Sequence, residues 1–381
     1  MIGRRSGAVL VVLLVSAGLT IGIVMQLNLS PATDPPNEEP VVTVPIKTEG
    51  VFLVYDVNIT RLNEFMSNRI SGGPPRDGIP PIENPIYITG EEGDEFLSGS
   101  DIVFGLHFKN VTIAYPQRVL VWHEIVNDKI DGLPVSITYC PLTGSTIAFQ
   151  GVIEGNGTTF GTSGKLINSN LVMYDRRTES YWPQILSQAV SLPSKGIGLQ
   201  KIQMFFTNWS NWKSLHPDTL VLSRDTGYFR NYSSDPYGIY NDPNSYYHSG
   251  PPMFPVMHVD DRLDHKEVVV SLDINGTQIA IQKSTMRNRT VYNFEIGDQK
   301  YVVLYDAQLD VARSYISEVD GQQLTFHVQD GRILDNETLT EWNVNGTSSL
   351  GTMKPVPNMD VMWFAWVAYF PNTVLVCDSC S

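Results

Sequence analysis

The stretch "DIVFGLHFKNVTIAY", residues 101–115, has a second version in the same chain, "EVVVSLDINGTQIAI", at residues 267–281. Both versions contain runs rich in Val and Ile in which apolar and polar residues alternate. Such alternation has the period of a β-strand with one buried face. The stretch therefore predicts β-strands in two separate parts of the chain.

The similarity between the two parts continues in the same order along the chain. Both parts finish with Trp-x-x-Trp, then Pro-x-Thr and an apolar run. We interpret them as two tandem copies of one β-rich unit, at residues 95–224 and 265–376, whose short strands need their neighbours for stability. Further matched positions are Tyr139 with Tyr305, Phe160 with Phe326, Trp182 with Trp342, Trp209 with Trp363 and Trp212 with Trp366. We expect the paired tryptophans in the core.

The composition is typical of a globular protein with two domains. The 381 residues are 42% hydrophobic and 17% charged, which supplies enough apolar surface for real cores. Few helices are predicted, around residues 58–70, 116–128 and 209–216. The predicted fold class is therefore β-rich α+β.

Residues 1–30 predict a transmembrane helix. Two arginines precede an uncharged stretch from Ser6 to Leu29, which is long enough to cross a bilayer. Its length, and the lack of a small-x-small cleavage signature, favour an uncleaved signal anchor. The positive start places the N-terminus in the cytoplasm and the rest of this single-pass protein outside the cell membrane. A Pro-rich acidic stalk at residues 31–50 and a lead-in at residues 51–94 follow.

Charge and glycosylation sequons agree with an extracytoplasmic position. The formal net charge of −14 repels phosphate backbones, so nucleic acid is not an expected partner. Asn-x-Ser/Thr sequons are more frequent than chance predicts, which indicates a glycosylated outer face. A sequon at Asn28 abuts the predicted membrane helix, and the candidate glycosylation sites are Asn58, Asn110, Asn156, Asn208, Asn231, Asn275, Asn288, Asn336 and Asn345.

A Tyr- and Pro-rich loop at residues 225–264 links the two copies and contains six tyrosines. Because Tyr combines large apolar area with a polar tip, we expect an ordered loop packed over the junction of the copies. The alternative is a stacking platform for sugars or another flat ligand. The loop also holds an acidic cluster, which we expect to be a solvated turn rather than a cation site: His258, Asp260, Asp261 and Asp264.

The two copies differ at residues that carry chemistry. In the aligned copies Cys140 stands opposite Asp306, and His123 stands opposite Arg289. His123 could accept the proton of the Cys140 thiol, or both could bind one metal ion. The alternative is a lone cysteine that packs as a small hydrophobe.

Cys140 also stands at the end of a predicted strand and enters a turn through Pro141, Thr143 and Gly144. Backbone amides in this turn could point at a thiolate and stabilise it. If Cys140 is the reactive thiol rather than a packed one, we expect its pKa to lie below the usual value and reagents to label it quickly below pH 7.

A resemblance to a known family is carried by the segments "RDGIPPIENP", "WHEIVND", "ITYCPLTGSTIAF", "TSGKLINSNLVMYDRRTESYWPQ", "HPDTLVLSRDTGYFRNY" and "DPYGIY". Together they resemble the domain of unknown function 3179, a family of uncharacterised (seleno)proteins of bacteria and archaea, from about Arg76 to Thr373. The resemblance implies no known activity. It does imply a thiol, because the family pattern at the turn looks like Cys-Pro-Leu-Cys-Gly. Here Thr143 takes the place of the second Cys, so a two-thiol cycle cannot run inside this turn.

The tail at residues 377–381 carries a second pair of sulfurs, Cys377 and Cys380. In an oxidising compartment such a C-x-x-C most simply forms a local disulfide. The alternatives are that it resolves Cys140 or binds a soft metal such as copper.

The sequence therefore predicts a membrane-anchored extracytoplasmic protein with a thiol-dependent redox or copper-handling role. Cys140 is its centre, with His123 as proton acceptor or second metal ligand. Copper fits this role, although the sequence requires no cofactor and identifies no redox partner. The alternative is a non-enzymatic, glycosylated module that binds a cell-surface protein or a glycan.

Overall fold

Short strands are the main regular secondary structure of the computed structural model, which describes residues 42–48 and 51–378. The predicted anchor, residues 1–30, and Cys380 lie outside the described residues. Among the residues that are described, no helix is both long and apolar enough to cross a membrane.

The N-terminal part supplies one hairpin and the elements of the lead-in. The end of the predicted stalk forms the first strand, which pairs antiparallel with the second. The elements are β1 (Val42–Thr48), β2 (Val51–Val57), α1 (Ile59–Ser67), β3 (Ile70–Ser71), β4 (Tyr87–Thr89) and α2 (Gly90–Gly93).

The first half of the folded region consists of thirteen strands and two short helices. They are β5 (Ile102–Phe108), β6 (Val111–Pro116), α3 (Gln117–Leu120), β7 (Ile125–Ile130), β8 (Leu133–Cys140), β9 (Ser145–Gln150), β10 (Val152–Ile153), β11 (Asn156–Gly157), β12 (Phe160–Ile167), β13 (Asn170–Asp175), β14 (Tyr181–Pro183), β15 (Lys201–Ile202), β16 (Phe205–Asn208), α4 (Trp209–Leu215) and β17 (Leu220–Leu222).

The second half begins after the Tyr-rich loop and has a similar element content. It contains β18 (Val268–Ile274), β19 (Thr277–Gln282), α5 (Lys283–Arg289), β20 (Val291–Ile296), β21 (Gln299–Asp306), β22 (Val311–Ile316), β23 (Glu318–Val319), β24 (Gln322–Gln323), β25 (Phe326–Gln329), β26 (Arg332–Asp335), β27 (Glu341–Trp342), β28 (Thr347–Ser348), β29 (Gly351–Thr352), β30 (Lys354–Val356), β31 (Met359–Met362), α6 (Trp363–Tyr369) and β32 (Val374–Val376). The fold is therefore β-rich α+β, as predicted.

The sheets of the two halves have corresponding strand orders. The order β16-β5-β6-β17 in the first half corresponds to β31-β18-β19-β32 in the second, and the last pairing is parallel in both. The order β15-β9-β8-β7 corresponds to β30-β22-β21-β20, and β12-β13-β14 to β25-β26-β27. The lead-in adds one edge strand to each of two first-half sheets, because β4 pairs with β17 and β3 pairs with β12.

One side-chain motif occurs in both halves at the end of a sheet. The Trp182 indole donates a hydrogen bond of 3.0 Å to the buried carboxylate of Asp175, and the Trp342 indole donates one of 3.0 Å to that of Asp335. Each tryptophan also packs edge-on against a phenylalanine, Phe160 in the first half and Phe326 in the second. Buried Trp needs such a partner for its N–H, so the motif fixes each ring in one orientation.

The helices that begin with Trp-x-x-Trp lie against the first sheet of each half. The indoles of Trp212 and Trp366 each donate a 2.9 Å hydrogen bond to a threonine hydroxyl, Thr219 and Thr373 respectively. Gly105 of β5 is required beneath the first helix, because a ring atom of Trp212 lies 2.1 Å from where a Cβ would stand. All six paired tryptophans are buried, as expected.

The largest apolar core crosses the boundary between the halves. It combines Phe65 of α1, Phe149 of β9, Tyr247 of the Tyr-rich loop and Trp366 of α6. A backbone hydrogen bond of 3.0 Å from the Met362 amide to the Thr143 carbonyl joins the two halves directly. The halves therefore share one apolar core in addition to the cores that each half forms by itself.

Candidate functional site

Cys140 ends β8, opposite Ser145 of β9, and the residues between them form the connecting turn. The whole turn is buried: Pro141, Leu142, Thr143 and Gly144. Gly144 has a φ of 58°, and a Met362 side-chain carbon lies 3.2 Å from where its Cβ would stand. Both the backbone conformation and the close approach of Met362 therefore favour glycine here.

The thiol of Cys140 is enclosed, with 1% of the residue exposed. Its sulfur accepts a hydrogen bond of 3.4 Å from the Leu171 amide. Burial, followed by the nearby Glu124 carboxyl, raises the pKa of this thiol to about 11, whereas donors from Thr143, Leu171 and Leu142 lower it by less. The expectation of a lowered pKa is therefore wrong, because desolvation of the thiolate outweighs the donors of the turn.

His123 is also buried, and both of its ring nitrogens have partners. Nδ1 lies 2.7 Å from the Pro80 carbonyl oxygen, and Nε2 lies 2.7 Å from the Tyr232 hydroxyl. Burial lowers the pKa of the imidazole to about 4, with a smaller effect from the charge of Arg230. Because neither nitrogen is free to accept another proton, this arrangement gives no support to the predicted proton transfer from Cys140 to His123, which stays a prediction.

The acid beside Cys140 is Glu124, which the sequence analysis missed. It is 7% exposed, and no described residue donates a hydrogen bond to its carboxyl. Burial raises its pKa to about 8, so the group is largely protonated at neutral pH. Burial also raises the pKa of Tyr237, with additional effects from Glu124 and Cys140. The one signal of Glu124 in the sequence is that it and His123 interrupt the apolar run "VLVWHEIV".

The Tyr-rich loop packs over this region. The Tyr246 hydroxyl donates a 2.8 Å hydrogen bond to the Leu142 carbonyl in the cysteine turn. Tyr247 is buried and donates to the Asp235 carboxylate at 2.9 Å, and Gln117 of α3 donates to both groups. The loop is therefore an ordered structural element that covers the thiol.

A cavity of about 810 Å³ lies where the loop meets both halves. The first half contributes Ile102, Phe206 and Asn208, and the loop contributes Tyr240, Asn241 and His248. The second half contributes most of the charged groups, including Lys266, Lys283, Arg287, Asp310 and Asp360. We call this space the junction cavity.

Two of the three basic side chains of the junction cavity have acidic partners. Lys283 contacts Asp360 at 2.6 Å and Asp310 at 3.5 Å. Arg287 contacts the same Asp310 carboxylate at 2.7 Å, which lowers the pKa of that carboxyl to about 2 despite the opposing effect of burial. These four charges therefore neutralise one another within the wall of the cavity.

Lys266 differs from them because its Nζ is buried without a hydrogen-bond partner. Only 7% of the residue is exposed, and Nζ lies 3.1 Å from the ring centroid of Tyr246 and 5.2 Å from that of Phe364. Burial lowers the pKa of the amine to about 7. Lys266 therefore lacks the acceptor or counter-ion that a buried amine normally has, and its Nζ lies between two rings that do not line the junction cavity.

The residues that the sequence singled out and the structure describes are not grouped as a metal site. Cys140 and His123 have separate partners, and Asp260 of the acidic cluster accepts two hydrogen bonds from the Arg262 guanidinium, at 3.0 and 2.9 Å. His265 is 3.8 Å from Asp261. Within residues 58–378, no three His, Cys, Asp or Glu side chains are grouped to hold a metal ion.

The C-terminal sulfur is separate from Cys140. Cys377 is disulfide-bonded, whereas Cys140 is free. The predicted partner Cys380 lies outside the described residues, so this pairing stays a prediction. Because Cys377 already has a partner, it is not a thiol that can resolve Cys140.

Most candidate glycosylation sites lie on the surface. Asn58 and Asn208 are half-buried and cap α1 and α4, where their side chains accept from backbone amides at 2.8 and 2.9 Å. The exposed sites are Asn110, Asn156, Asn231, Asn275, Asn288, Asn336 and Asn345.

A family model described as a protein of unknown function, DUF3179, matches residues 76–373. The chain belongs to this family. The match includes the Tyr-rich loop, the cysteine turn and the whole lining of the junction cavity, whereas Asn58, Cys377 and Cys380 lie outside it. Comparison with curated proteins and with solved structures found no match.

Proposed function

We propose that this DUF3179 protein is an extracytoplasmic binding protein whose ligand occupies the junction cavity. The observation that carries the proposal is a cavity of about 810 Å³ lined by aromatic, amide and charged side chains from both halves and the loop. This volume lies within the usual range of small-molecule sites. The location between the two halves and an ordered loop is also where such sites commonly form.

The lining supports a small polar ligand with one flat face. Tyr240, Phe206 and His248 offer rings, while Asn241 and Ser284 offer hydrogen-bonding groups. Sites for small molecules combine such apolar surfaces with a few placed polar groups. The alternative sequence hypothesis, a non-enzymatic binding module, is therefore the one that this geometry supports best.

The thiol redox or copper role is a weaker proposal. It requires a reactive Cys140, but the thiol is buried and its pKa is raised to about 11. A thiol with such a pKa is almost fully protonated at neutral pH, and the protonated form is neither a good nucleophile nor a good metal ligand.

Membrane anchoring and glycosylation complete the proposal for the whole chain. The arginines before the uncharged stretch from Ser6 to Leu29 support a single-pass anchor with the folded part outside the cell. The excess of sequons and the exposure of most of them support a glycosylated surface. A neighbouring surface protein or glycan stays a proposed partner.

We further propose that the two halves arose by duplication of one β-rich unit. The corresponding strand orders and the repeated Trp–Asp and Trp–Thr hydrogen bonds support this origin. A duplicated binding unit has a junction between its copies, and the junction cavity lies there. The two copies differ at the junction, since Cys140 of the first stands opposite Asp306 of the second. A single site shared by both copies would favour such a difference.

A cavity-filling substitution tests the binding proposal. Ser284→Trp places a large ring in the cavity wall, whereas Ser67→Trp places the same ring on the exposed end of α1. Thermal unfolding is measured with neutral sugars, succinate and glyceraldehyde. A ligand at about 100 times its Kd stabilises the folded state by roughly 2.7 kcal/mol. We expect at least one compound to stabilise the wild type and Ser67→Trp but not Ser284→Trp. Equal stabilisation of all three proteins would contradict the proposal.

A further inference from the structure

The sheet that contains β5 has one more strand than its counterpart in the second half. In the first half β4 pairs antiparallel with β17, so the strand order is β16-β5-β6-β17-β4. In the second half the order ends at β32, which pairs with β19 on one side, and no described strand lies on its other side. β32 is therefore an edge strand, whose backbone offers hydrogen-bonding groups to a further strand.

The missing strand leaves apolar residues of β32 uncovered. Val221 and Leu222 of β17 are completely buried beside β4, whereas the matching residues of β32, Leu375 and Val376, are half-buried. The side chain before them, Val374, belongs to a residue that is 54% exposed. β32 also contains neither a charged residue nor a proline, which are the usual protection of an edge strand against pairing. This edge therefore has the properties of a pairing surface.

The segment of the second half that corresponds in position to β4 does not cover this edge. It lies as far before β18 as β4 lies before β5, and it reads "PPMFP", residues 251–255. Its prolines lack the N–H that a paired strand donates. Phe254 packs instead against the largest apolar core. The counterpart of β4 is therefore used elsewhere in the fold, and the edge of β32 stays open among the described residues.

The pairing of β4 shows which kind of strand fits beside β32. β4 runs antiparallel to β17 and places Tyr87 opposite Leu222, and the Tyr87 hydroxyl donates a 2.6 Å hydrogen bond to Asp128. In the second half the residue that matches Asp128 is Phe294, which packs half-buried against an apolar core. A strand beside β32 should therefore be antiparallel and should place an apolar side chain opposite Val376.

We propose that this strand is β32 of a second copy of the protein, and that the two copies pair edge to edge around a two-fold axis at Leu375. A two-fold axis makes the paired strands antiparallel, as the comparison with β4 requires. It also places Val374 of each copy opposite Val376 of the other. Val374 then occupies the position that Tyr87 has in the first half, so the side chain that is exposed in one molecule becomes buried in the pair.

The charges at the edge fit a second copy. Residues 372–377 are uncharged, and the Asp378 carboxylate that follows them is paired with Arg289 at 2.6 Å. No like charges therefore face each other across the axis, where they would oppose the pairing. The sheet β31-β18-β19-β32 continues directly into the same sheet of the other copy. This pairing does not depend on a ligand in the junction cavity.

Sedimentation equilibrium of the full chain in detergent tests the pairing. The protein is made in a host that attaches no N-glycans, because the Asn288 amide donates a 3.3 Å hydrogen bond to Asp378 beside this edge. We expect the wild type to form a dimer as its concentration rises. Val374→Lys would bury two ammonium groups in the dimer and should weaken it at least about tenfold. Leu220→Lys is the matching change on β17 and should leave the dimer unchanged, because β4 already covers that edge.

A cysteine at the proposed axis tests the register. Directly opposite residues of antiparallel strands have Cβ atoms about 5 Å apart, so folded Leu375→Cys should form a disulfide between the two copies of residue 375 in a mild oxidant. Ser210→Cys, which is exposed on α4, should not. Absence of the link at residue 375, a wild type that stays monomeric, or a dimer that Val374→Lys does not weaken would each overturn the pairing. A monomeric wild type that binds the peptide "NPIYITG", residues 84–90, at this edge would also overturn it, because the edge would then accept a strand of another protein.

Discussion

Glu124 combines two unfavourable features at one position. Its backbone has a φ of 58°, in the left-handed region that few residues other than glycine adopt, and its acidic side chain is largely buried. The corresponding residue of the second half, Thr290, has a φ of 62°. The backbone conformation therefore belongs to the turn before β7 and β20 in both halves, whereas the buried acid belongs to the first half alone.

The raised pKa of Glu124 predicts a stability that falls as pH rises. Between about pH 4.5 and pH 8 the unfolded chain has released this proton, whereas the folded chain still binds it. Burial of the acid therefore costs the folded state up to about 1.4 kcal/mol more for each pH unit in this window. Glu124→Gln removes the ionisation. We expect the free energy of unfolding of the variant, relative to wild type, to increase from pH 5 to pH 8.

Urea unfolding at several pH values measures this difference. Glu154→Gln is a matched control, since Glu154 also has a positive φ, 51°, but an exposed side chain. The pH dependence of this control is the baseline against which that of Glu124→Gln is compared. A difference for Glu124→Gln that changes with pH no more than this baseline would show that the acid is ionised in the folded protein.

Cys140 shows which properties of a residue can be predicted from sequence. The strand, the following turn and the need for glycine at position 144 are local features, so they follow from the pattern "ITYCPLTG". The pKa does not, because the groups that bury the thiol come from distant segments such as Ser169, Leu171 and the Tyr-rich loop. The sequence indicated that donors in the turn would lower the pKa of the thiol, but not that desolvation would raise this pKa by more.

At the scale of elements, the pattern of apolar and polar residues predicted the strands better than the helices. β5, β6, β8, β18 and β21 lie where the alternating runs are, and α1 and α4 occupy two of the predicted helices. The predicted helix at residues 116–128 is wrong, because only Gln117–Leu120 is helical and Ile125–Ile130 pairs with β8. In this segment, pairing with β8 overrides the helical spacing of the apolar residues. α6 was missed because all seven of its residues are buried, so it has no polar face to reveal a helical period.

The repeated Trp–Asp motif predicts equal effects of equal substitutions in the two halves. Asp175 accepts from the Trp182 indole and the Thr178 amide, and Asp335 accepts from the corresponding groups of Trp342 and Thr338. Hydrogen bonds to a charged acceptor contribute roughly 1.5–3 kcal/mol each. Asp175→Asn and Asp335→Asn should therefore each destabilise the protein by about 2–3 kcal/mol.

Chemical denaturation of both variants checks this expectation. Asp131→Asn serves as the control, because its carboxylate is 74% exposed and its pairing with Lys109 is a surface ion pair worth under about 1 kcal/mol. If the destabilisation caused by Asp175→Asn differed from that caused by Asp335→Asn by more than about 1 kcal/mol, the motifs would not be equivalent parts of the fold.

At the scale of the whole molecule, the binding site depends on segments that are far apart in sequence. The junction cavity is lined by Ile102 of β5, Tyr240 of the loop, Lys266 before β18 and Asp360 of β31. No local motif connects these residues, so sequence reasoning identified the cysteine turn and the aromatic loop but not the cavity. The internal similarity did indicate that a junction exists, and the loop composition indicated that it is covered.

The position of Cys140 at this junction makes its thiol a probe of opening of the whole protein. The sulfur belongs to the core that joins α1, both halves and the Tyr-rich loop, and Tyr246 bonds the turn beside it. A reagent can reach the sulfur only when these elements separate. We therefore expect no labelling of the native protein at pH 7, and labelling in urea that rises with the same midpoint as the loss of tryptophan fluorescence.

Ser210→Cys supplies the matched control, because residue 210 is exposed on α4. The new thiol should react at once in the native protein while Cys140 stays unmodified, and the Cys377 disulfide should not react without a reductant. If Cys140 were instead labelled at the rate of the Ser210→Cys thiol, the loop would open without global unfolding. The predicted redox role would then regain its support, since a thiol that solvent reaches readily can exchange with an external partner.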